Sequence, residues 1–92
     1  MTVLKELMKT IEGRKKNPKK GSYTCSLYAG GVDRIGEKIM EEAEEVVRAA
    51  KREGRDRVIY EVGDLIYHVF VLLGYEGIKL EEIEKELKRR MK

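Results

Sequence analysis

The sequence has no tryptophan and only one proline, one cysteine and one histidine among its 92 residues. A single cysteine, Cys25, excludes an internal disulfide. The N-terminal segment is amphipathic and lacks an uninterrupted apolar core, so we expect no signal peptide. The longest apolar run is interrupted by charges and is too short to span a bilayer. We therefore expect a cytoplasmic protein without a membrane partner.

Charged residues make up 40% of the chain and hydrophobic residues 41%, a mixture typical of a folded domain. The length predicts one domain, residues 1–92. The charge is uneven: residues 1–20 carry seven basic and two acidic side chains, whereas residues 37–45 carry five acids and one lysine. The chain therefore has a basic N-terminal segment and an acidic middle.

The spacing of apolar residues predicts an all-α fold. Helical periodicity covers residues 2–12, 32–53, 56 to about 75, and 80–91, and a short helix capped by Ser22 fits residues 22–28. The segment "GRKKNPKKG" is expected to end the first helix, and Asp56 to cap the helix that follows Gly54. No stretch alternates like a strand. We predict a helical bundle of about four to five helices.

The segment "VIYEVGDLIYHVFVLL", residues 58–73, raises a question because it holds two acids and the only histidine in an apolar helix. At 100° per residue, Arg57, Glu61, Asp64 and His68 fall within a stripe of roughly 60°. Two carboxylates removed from water without a partner would cost several kcal/mol each. They therefore need a compensating cation or a wet cleft.

The preceding helix supplies acids at a matching spacing. Glu42 and Glu45 border its apolar stripe, Glu41 lies one turn before Glu45, and Glu44 points to solvent. Beside the next helix, Glu42, Glu45, Glu61 and Asp64 can converge. An all-oxygen set of this kind suits a hard divalent cation, Mg²⁺ or Mn²⁺.

Other interpretations remain open at this point. Glu61 and Asp64 could form buried ion pairs with Arg57 or Arg34, and the acidic run could be a solvated helix face. For His68 we favour a core histidine held by a hydrogen bond, with Asp64 as the nearest partner. A nucleic-acid-binding module would use the basic N-terminal segment but leaves the buried acids unexplained. A di-iron bundle is set aside because its Glu-x-x-His pairs are missing.

Three blocks carry a family resemblance: "SYT", "GVDRIGEKIMEEAEEVV" and "YEVGDLIYHVFVLL". In this order they resemble the all-α nucleoside triphosphate pyrophosphohydrolase superfamily, and within it the phosphoribosyl-ATP pyrophosphohydrolase family of histidine biosynthesis. The resemblance covers nearly the whole chain. It implies hydrolysis of the α–β phosphoanhydride of phosphoribosyl-ATP with Mg²⁺. The housecleaning (MazG-like) branch, which acts on simpler nucleotides, stays an alternative.

The resemblance also implies roles for individual residues and an assembly. Glu42, Glu45, Glu61 and Asp64 would bind the metal, and one of Glu41, Glu42 and Glu45 would act on the attacking water. The implied substrate-binding residues are Lys38, Arg14, Lys15, Ser22, Tyr23 and Thr24. The helix of residues 58–73 is apolar almost all round, so we expect a homodimer, with a tetramer left open, that completes the core.

Overall fold

The computed structural model describes residues 2–91 and contains four helices within them. These are α1 (Val3–Lys16), α2 (Tyr23–Arg52), α3 (Arg55–Glu76) and α4 (Leu80–Arg90). No residue from 2 to 91 lies in a β-strand. The predicted all-α class and helix number are confirmed.

Helix α1 extends further than the sequence predicts. The Thr2 hydroxyl caps its first turn by accepting a hydrogen bond from the Lys5 backbone N–H at 3.2 Å. The helix passes Gly13 and ends only at Lys16, directly before Asn17 and Pro18. Glycine merely weakens a helix, by about 1 kcal/mol relative to alanine, whereas proline disfavours helical backbone in the residue before it. The proline therefore sets the boundary.

Helix α2 bends at the Gly-Gly pair. Ser22 caps its N-terminus as predicted, accepting from the Cys25 N–H at 3.2 Å. At Gly31 the backbone leaves helical geometry, with φ 67° and ψ −164°, and the helix resumes immediately. Only glycine enters this region of backbone conformation without strain. The predicted short helix and long helix are thus two segments of one bent element.

Helices α2 and α3 form an antiparallel hairpin around the tight turn at Gly54, and they make the largest interhelical contact. Gly54, with φ 97°, precedes α3, and no side chain caps that helix. The expected cap by Asp56 is therefore wrong: Asp56 lies inside the first turn, where a negative charge favours the helix dipole. The core lies at the end of the hairpin remote from Gly54, where α1 and α4 pack, and consists of Met8, Ile11, Leu27, Ile35, Phe70, Val71, Leu73 and Leu80.

One apolar face of α3 is only partly covered. Val58, Val62, Leu65, Val69 and Leu72 are all half-buried and recur at alternating intervals of four and three residues. We call these five residues the α3 seam; the spacing is that of a helix that packs along a partner helix. By length and composition α3 could also cross a membrane, and about a third of its most apolar stretch is buried within the chain.

Candidate active site

Carboxylates from α2 and α3 meet near the Gly54 end of the hairpin. One carboxylate oxygen from each of Glu42, Glu45 and Glu61 lies within 4.8 Å of the other two. Glu42 and Glu61 are buried, with 4% and 5% of their surfaces exposed, and Glu45 is half-buried. We call these three residues the carboxylate cluster. Three of the four predicted metal ligands are therefore brought together.

The fourth predicted ligand, Asp64, lies beside the cluster but outside that group of three. Its charge is felt at Glu42, where it contributes to a raised pKa. The Asp64 side chain is half-buried, and its backbone carbonyl accepts a hydrogen bond from His68 Nδ1 at 2.7 Å. The expected satisfied core histidine is thus present, with the backbone of Asp64 as its partner.

Two oxygens of the cluster lack hydrogen-bond partners among the residues that the structure describes. They are Glu42 Oε2 and Glu61 Oε1. The other oxygen of each residue is paired: Lys38 Nζ lies 3.5 Å from Glu42 Oε1, and Arg57 Nη2 lies 3.0 Å from Glu61 Oε2. The predicted ion pair with Arg57 is therefore real, but it satisfies only half of the Glu61 carboxylate.

Burial, together with the crowding of negative charge, raises the pKa of Glu42 to about 7. Loss of water around the buried carboxyl is the main cause, followed by the close approach of the Glu45 carboxyl and the charges of Asp64 and Glu45; the charge of Lys38 opposes them. Carboxylates this close repel one another when all of them are ionised. A bound proton or cation would relieve this repulsion.

The donor set fits a hard divalent cation. All the ligands are carboxylate oxygens, no sulfur or imidazole belongs to the cluster, and two buried oxygens face no donor within residues 2–91. Mg²⁺ and Mn²⁺ prefer such ligands. Glu42, Glu45 and Glu61 would hold the ion, and the charge of the neighbouring Asp64 would add to the negative potential at the site.

Lys38 and Glu41 lie at the rim of the cluster. The Lys38 ammonium is 3.2 Å from Glu41 Oε1, and the Lys38 side chain is 16% exposed. Glu41 points outward with 55% of its side chain exposed and does not join the cluster. The structure thus places the positive charge of Lys38 next to the predicted metal site.

The three residues of "SYT" all make contacts within the protein. Ser22 caps α2, the Tyr23 hydroxyl lies 2.8 Å from His68 Nε2, and the Thr24 hydroxyl is hydrogen-bonded to the Tyr67 hydroxyl. Arg14 lines a hollow of about 300 Å³ together with Ser22, Thr24 and the loop lysines 19 and 20. Sequence reasoning missed the Tyr67 and His68 partners because no local pattern connects residues more than forty positions apart.

Lys15 is the predicted substrate-binding residue that the structure places elsewhere. Its ammonium donates to the backbone carbonyls of Gly74 and Tyr75, both at 3.1 Å, at the C-terminus of α3. At 1.5 Å per residue, this lies roughly 15 Å along α3 from Asp64. The contact caps a helix end, where carbonyls lack intrahelical partners.

The hairpin thus brings carboxylates from both of its helices together beside the Lys38 ammonium, an arrangement suited to a divalent cation and a phosphate group. The model of the family "Phosphoribosyl-ATP pyrophosphohydrolase" matches residues 4–91. The chain belongs to that family. The apolar character of α3 is accordingly that of a packing helix in a soluble protein.

Individual relatives agree with the family match. The phosphoribosyl-ATP pyrophosphatase of Sulfurisphaera tokodaii is 52% identical over 90 residues, covering 98% of this chain and 96% of that protein. The enzyme of the same name from Clostridium acetobutylicum is 49% identical, covering 96% of this chain and 80% of that protein. A histidine biosynthesis bifunctional protein from Caldanaerobacter subterraneus is 50% identical over 98% of this chain, which spans only 44% of that longer protein.

Proposed function

We propose that this chain hydrolyses phosphoribosyl-ATP to phosphoribosyl-AMP and pyrophosphate, the second step of histidine biosynthesis. Water attacks the α–β phosphoanhydride. The observation that carries the proposal is the carboxylate cluster with its two unpartnered buried oxygens, in a chain matched by the family model over residues 4–91. The expected location is the cytoplasm, and the expected small-molecule partner is the nucleotide alone.

The cofactor is Mg²⁺, with Mn²⁺ as an alternative, held by Glu42, Glu45, Glu61 and Asp64. When bound, such an ion neutralises phosphate charge and acidifies water. Lys38 adds a positive charge at the rim, where it exchanges its contact with Glu41 for a phosphate oxygen. Arg57 holds Glu61 in orientation through their 3.0 Å contact.

The residue that accepts the proton of the attacking water is one of Glu41, Glu42 and Glu45. Glu41 lies outside the cluster and is paired with Lys38. Glu42 is buried, whereas Glu45 is half-buried and belongs to the cluster. Glu45 is therefore the first choice for substitution, because it combines access with proximity.

The test follows pyrophosphate release from phosphoribosyl-ATP, with ATP and dCTP in parallel. Glu45→Gln and removal of divalent ions by EDTA are each expected to reduce the rate by about 100-fold or more, since the lost stabilisation is worth several kcal/mol. Glu44→Gln is the matched control, because this exposed acid lies on the same helix outside the cluster. Release from ATP or dCTP alone would assign the chain to the housecleaning branch. Unchanged release in EDTA would refute the metal site.

The assembly that this function uses is a homodimer formed through the α3 seam. Five half-buried aliphatic side chains at heptad spacing match a second copy of the same helix, as in packed helix pairs. The seam lies next to the stripe that carries Glu61 and Asp64, so a partner helix would border the site. A tetramer is compatible with the same contact.

The seam is tested by Val69→Lys in sedimentation velocity at micromolar concentration. A lysine there places charge inside the contact and is expected to convert dimers to monomers. Val3→Lys makes the same change at a site that is 75% exposed and is expected to leave the mass unchanged. A monomeric wild-type protein that is fully active would rule out the dimer as part of the function.

A further inference from the structure

A buried histidine connects the "SYT" segment to α3. His68 is 3% exposed, and its two ring nitrogens have separate partners. Nδ1 lies 2.7 Å from the backbone oxygen of Asp64, and Nε2 lies 2.8 Å from the Tyr23 hydroxyl. The Tyr67 ring meets the imidazole edge-on and stacks on the Tyr23 ring, so the three rings form one packed group.

The partners fix where the hydrogens lie in the neutral imidazole. A backbone carbonyl oxygen only accepts hydrogen bonds, so Nδ1 must carry the ring hydrogen. Nε2 is then an acceptor, and the Tyr23 hydroxyl must donate to it. The hydroxyl hydrogen of Tyr23 is thereby committed to the protein interior. Toward any other group, the Tyr23 oxygen can therefore act only as a hydrogen-bond acceptor.

The Tyr23 side chain connects α3, through His68, with the loop that carries Lys19 and Lys20. It is 45% exposed and lines a hollow of about 630 Å³ with Lys19 and Lys20. Burial raises the pKa of Tyr23, whereas the positive charges of Lys38 and Arg34 lower it, and Glu42 is among the groups that raise it. The hydroxyl is therefore close enough to the site rim to feel both Lys38 and Glu42.

We propose that His68 is a positioning residue that turns the Tyr23 hydroxyl into an obligate hydrogen-bond acceptor, so that Tyr23 binds an O–H donor and not a phosphate oxygen. A phosphate oxygen at neutral pH is itself an acceptor and would find no hydrogen on this hydroxyl. The donor is a ribose hydroxyl of the substrate or an ordered water at the same place. The identity of the donor rests on the proposed function; the hydrogen placement does not.

The hydrogen placement is tested by nitrogen NMR on protein labelled with ¹⁵N-histidine. The chain has one histidine, so its two ring signals need no assignment among residues. We expect the long-range correlation pattern of the Nδ1–H form, and a shift of the Nε2 signal in Tyr23→Phe. An Nε2–H pattern in the wild-type protein would overturn the proposal, whatever the enzyme's activity.

The role of Tyr23 is tested by steady-state kinetics with the substrate and its 2′-deoxyadenosine analogue. Loss of one hydrogen bond in Tyr23→Phe is expected to lower kcat/KM about threefold to tenfold. Tyr75→Phe removes the same atom at the far end of α3 and serves as the control. An effect that disappears with the analogue identifies the 2′-hydroxyl as donor, and an equal effect on both compounds assigns the donor to another hydroxyl or to water. No effect on kcat or KM would overturn the binding role.

A double-mutant cycle tests whether His68 affects kcat/KM through the Tyr23 hydroxyl. His68→Gln can place an amide oxygen near the Nε2 position and is expected to retain more kcat/KM than His68→Leu. In the Tyr23→Phe background the two variants should become equal, because the hydroxyl they hold is absent. Thermal unfolding of each variant separates loss of fold from loss of positioning. Independent, additive effects of the His68 and Tyr23 substitutions on kcat/KM would contradict the positioning role.

If wild-type protein releases no pyrophosphate from phosphoribosyl-ATP, the proposed function fails while the NMR result still decides the hydrogen placement.

Discussion

The two ends of the α2–α3 hairpin bury different kinds of side chain. At the end packed by α1, Leu27, Ile35 and Val71 are fully buried and the contacts are apolar. Toward the Gly54 turn, the buried side chains include Glu42 and Glu61, and two of their oxygens have no partner within residues 2–91. We call these regions the apolar end and the acidic end.

The side chains that stabilise the fold and the side chains proposed to act in hydrolysis therefore lie at different ends of the same pair of helices. Apolar burial at one end stabilises the fold by about 25 cal/mol per Å² removed from water. Buried carboxylates that each keep one oxygen without a partner oppose folding at the other end until a proton or cation joins them. A domain of 92 residues has little stability in reserve, so the apolar end must support the acidic end.

The largest stability effect is expected at the apolar end. Ile35→Ala removes a side chain with 0% exposure and should lower the free energy of unfolding by about 2–5 kcal/mol. Val3→Ala, at an exposed position, should change it by less than about 0.5 kcal/mol. Urea unfolding measures both. A small loss in Ile35→Ala would mean that the core is not concentrated where the structure places it.

The acidic end should respond with the opposite sign. Glu42→Gln removes a charge from a crowded buried site and is expected to raise the free energy of unfolding of cation-free protein by about 1 kcal/mol. The same variant should lose most of its hydrolytic activity. Chemical unfolding in EDTA, with Glu44→Gln as control, checks the first part. A destabilised Glu42→Gln would show that its ion pair with Lys38 outweighs the repulsion.

The pH dependence sharpens the same contrast. The pKa of Glu42 is raised from 4.5 in its ordinary state to about 7 in the fold, so the folded protein binds this proton more tightly than the unfolded chain. Its contribution to stability is fully present below pH 4.5 and is lost as the pH rises through about 7. The melting temperature of cation-free protein should therefore fall from about pH 5 to about pH 8.

The same experiment has two internal checks. Glu42→Gln should flatten the pH slope, because the titrating group is gone. Mg²⁺ should stabilise the wild-type protein more at the higher pH, since metal ligands must be deprotonated. A slope that survives unchanged in Glu42→Gln would assign the titration to another group.

The smallest effect is expected for Lys15, whose two hydrogen bonds cap α3. Lys15→Met should lower the free energy of unfolding by about 1 kcal/mol and leave the KM for substrate unchanged. Arg14→Met, one residue earlier and facing the hollow beside Ser22, should instead raise KM. Measuring the free energy of unfolding and the KM of both variants shows whether Lys15 stabilises the fold or binds substrate. A raised KM in Lys15→Met would support the substrate-binding role predicted from sequence.

The sequence was sufficient for features that depend on local spacing. Periodicity located all four helices and a break at the Gly-Gly pair, although this break is a bend within α2 and not the end of a separate helix. Of the four acids expected to converge, Glu42, Glu45 and Glu61 do meet. The predicted end of α1 was too early, because a glycine within a helix lowers the helix stability only slightly and the turns on either side of it compensate. The predicted Asp56 cap was wrong because α3 begins at Arg55, so that Gly54 occupies the N-cap position and Asp56 lies within the first turn.

Contacts between distant segments were beyond sequence reasoning. Lys15 reaches carbonyls about sixty positions away, and nothing in "GRKK" distinguishes a lysine that caps a helix from one that binds phosphate. The pairing of Tyr23 with His68 likewise depends on how the bent α2 lies across α3. Such contacts follow from packing of whole helices and not from any local pattern.

The bend at Gly31 has a mechanical consequence. Residues 23–30 form a short helical segment whose direction relative to the rest of α2 is set at Gly31, and Tyr23 lies at its far end. The buried Leu27 and the hydrogen bond of Tyr23 to His68 hold this segment in place. Because only glycine adopts the Gly31 backbone conformation without strain, a side chain there would disturb the placement of Tyr23 from a position outside the carboxylate cluster.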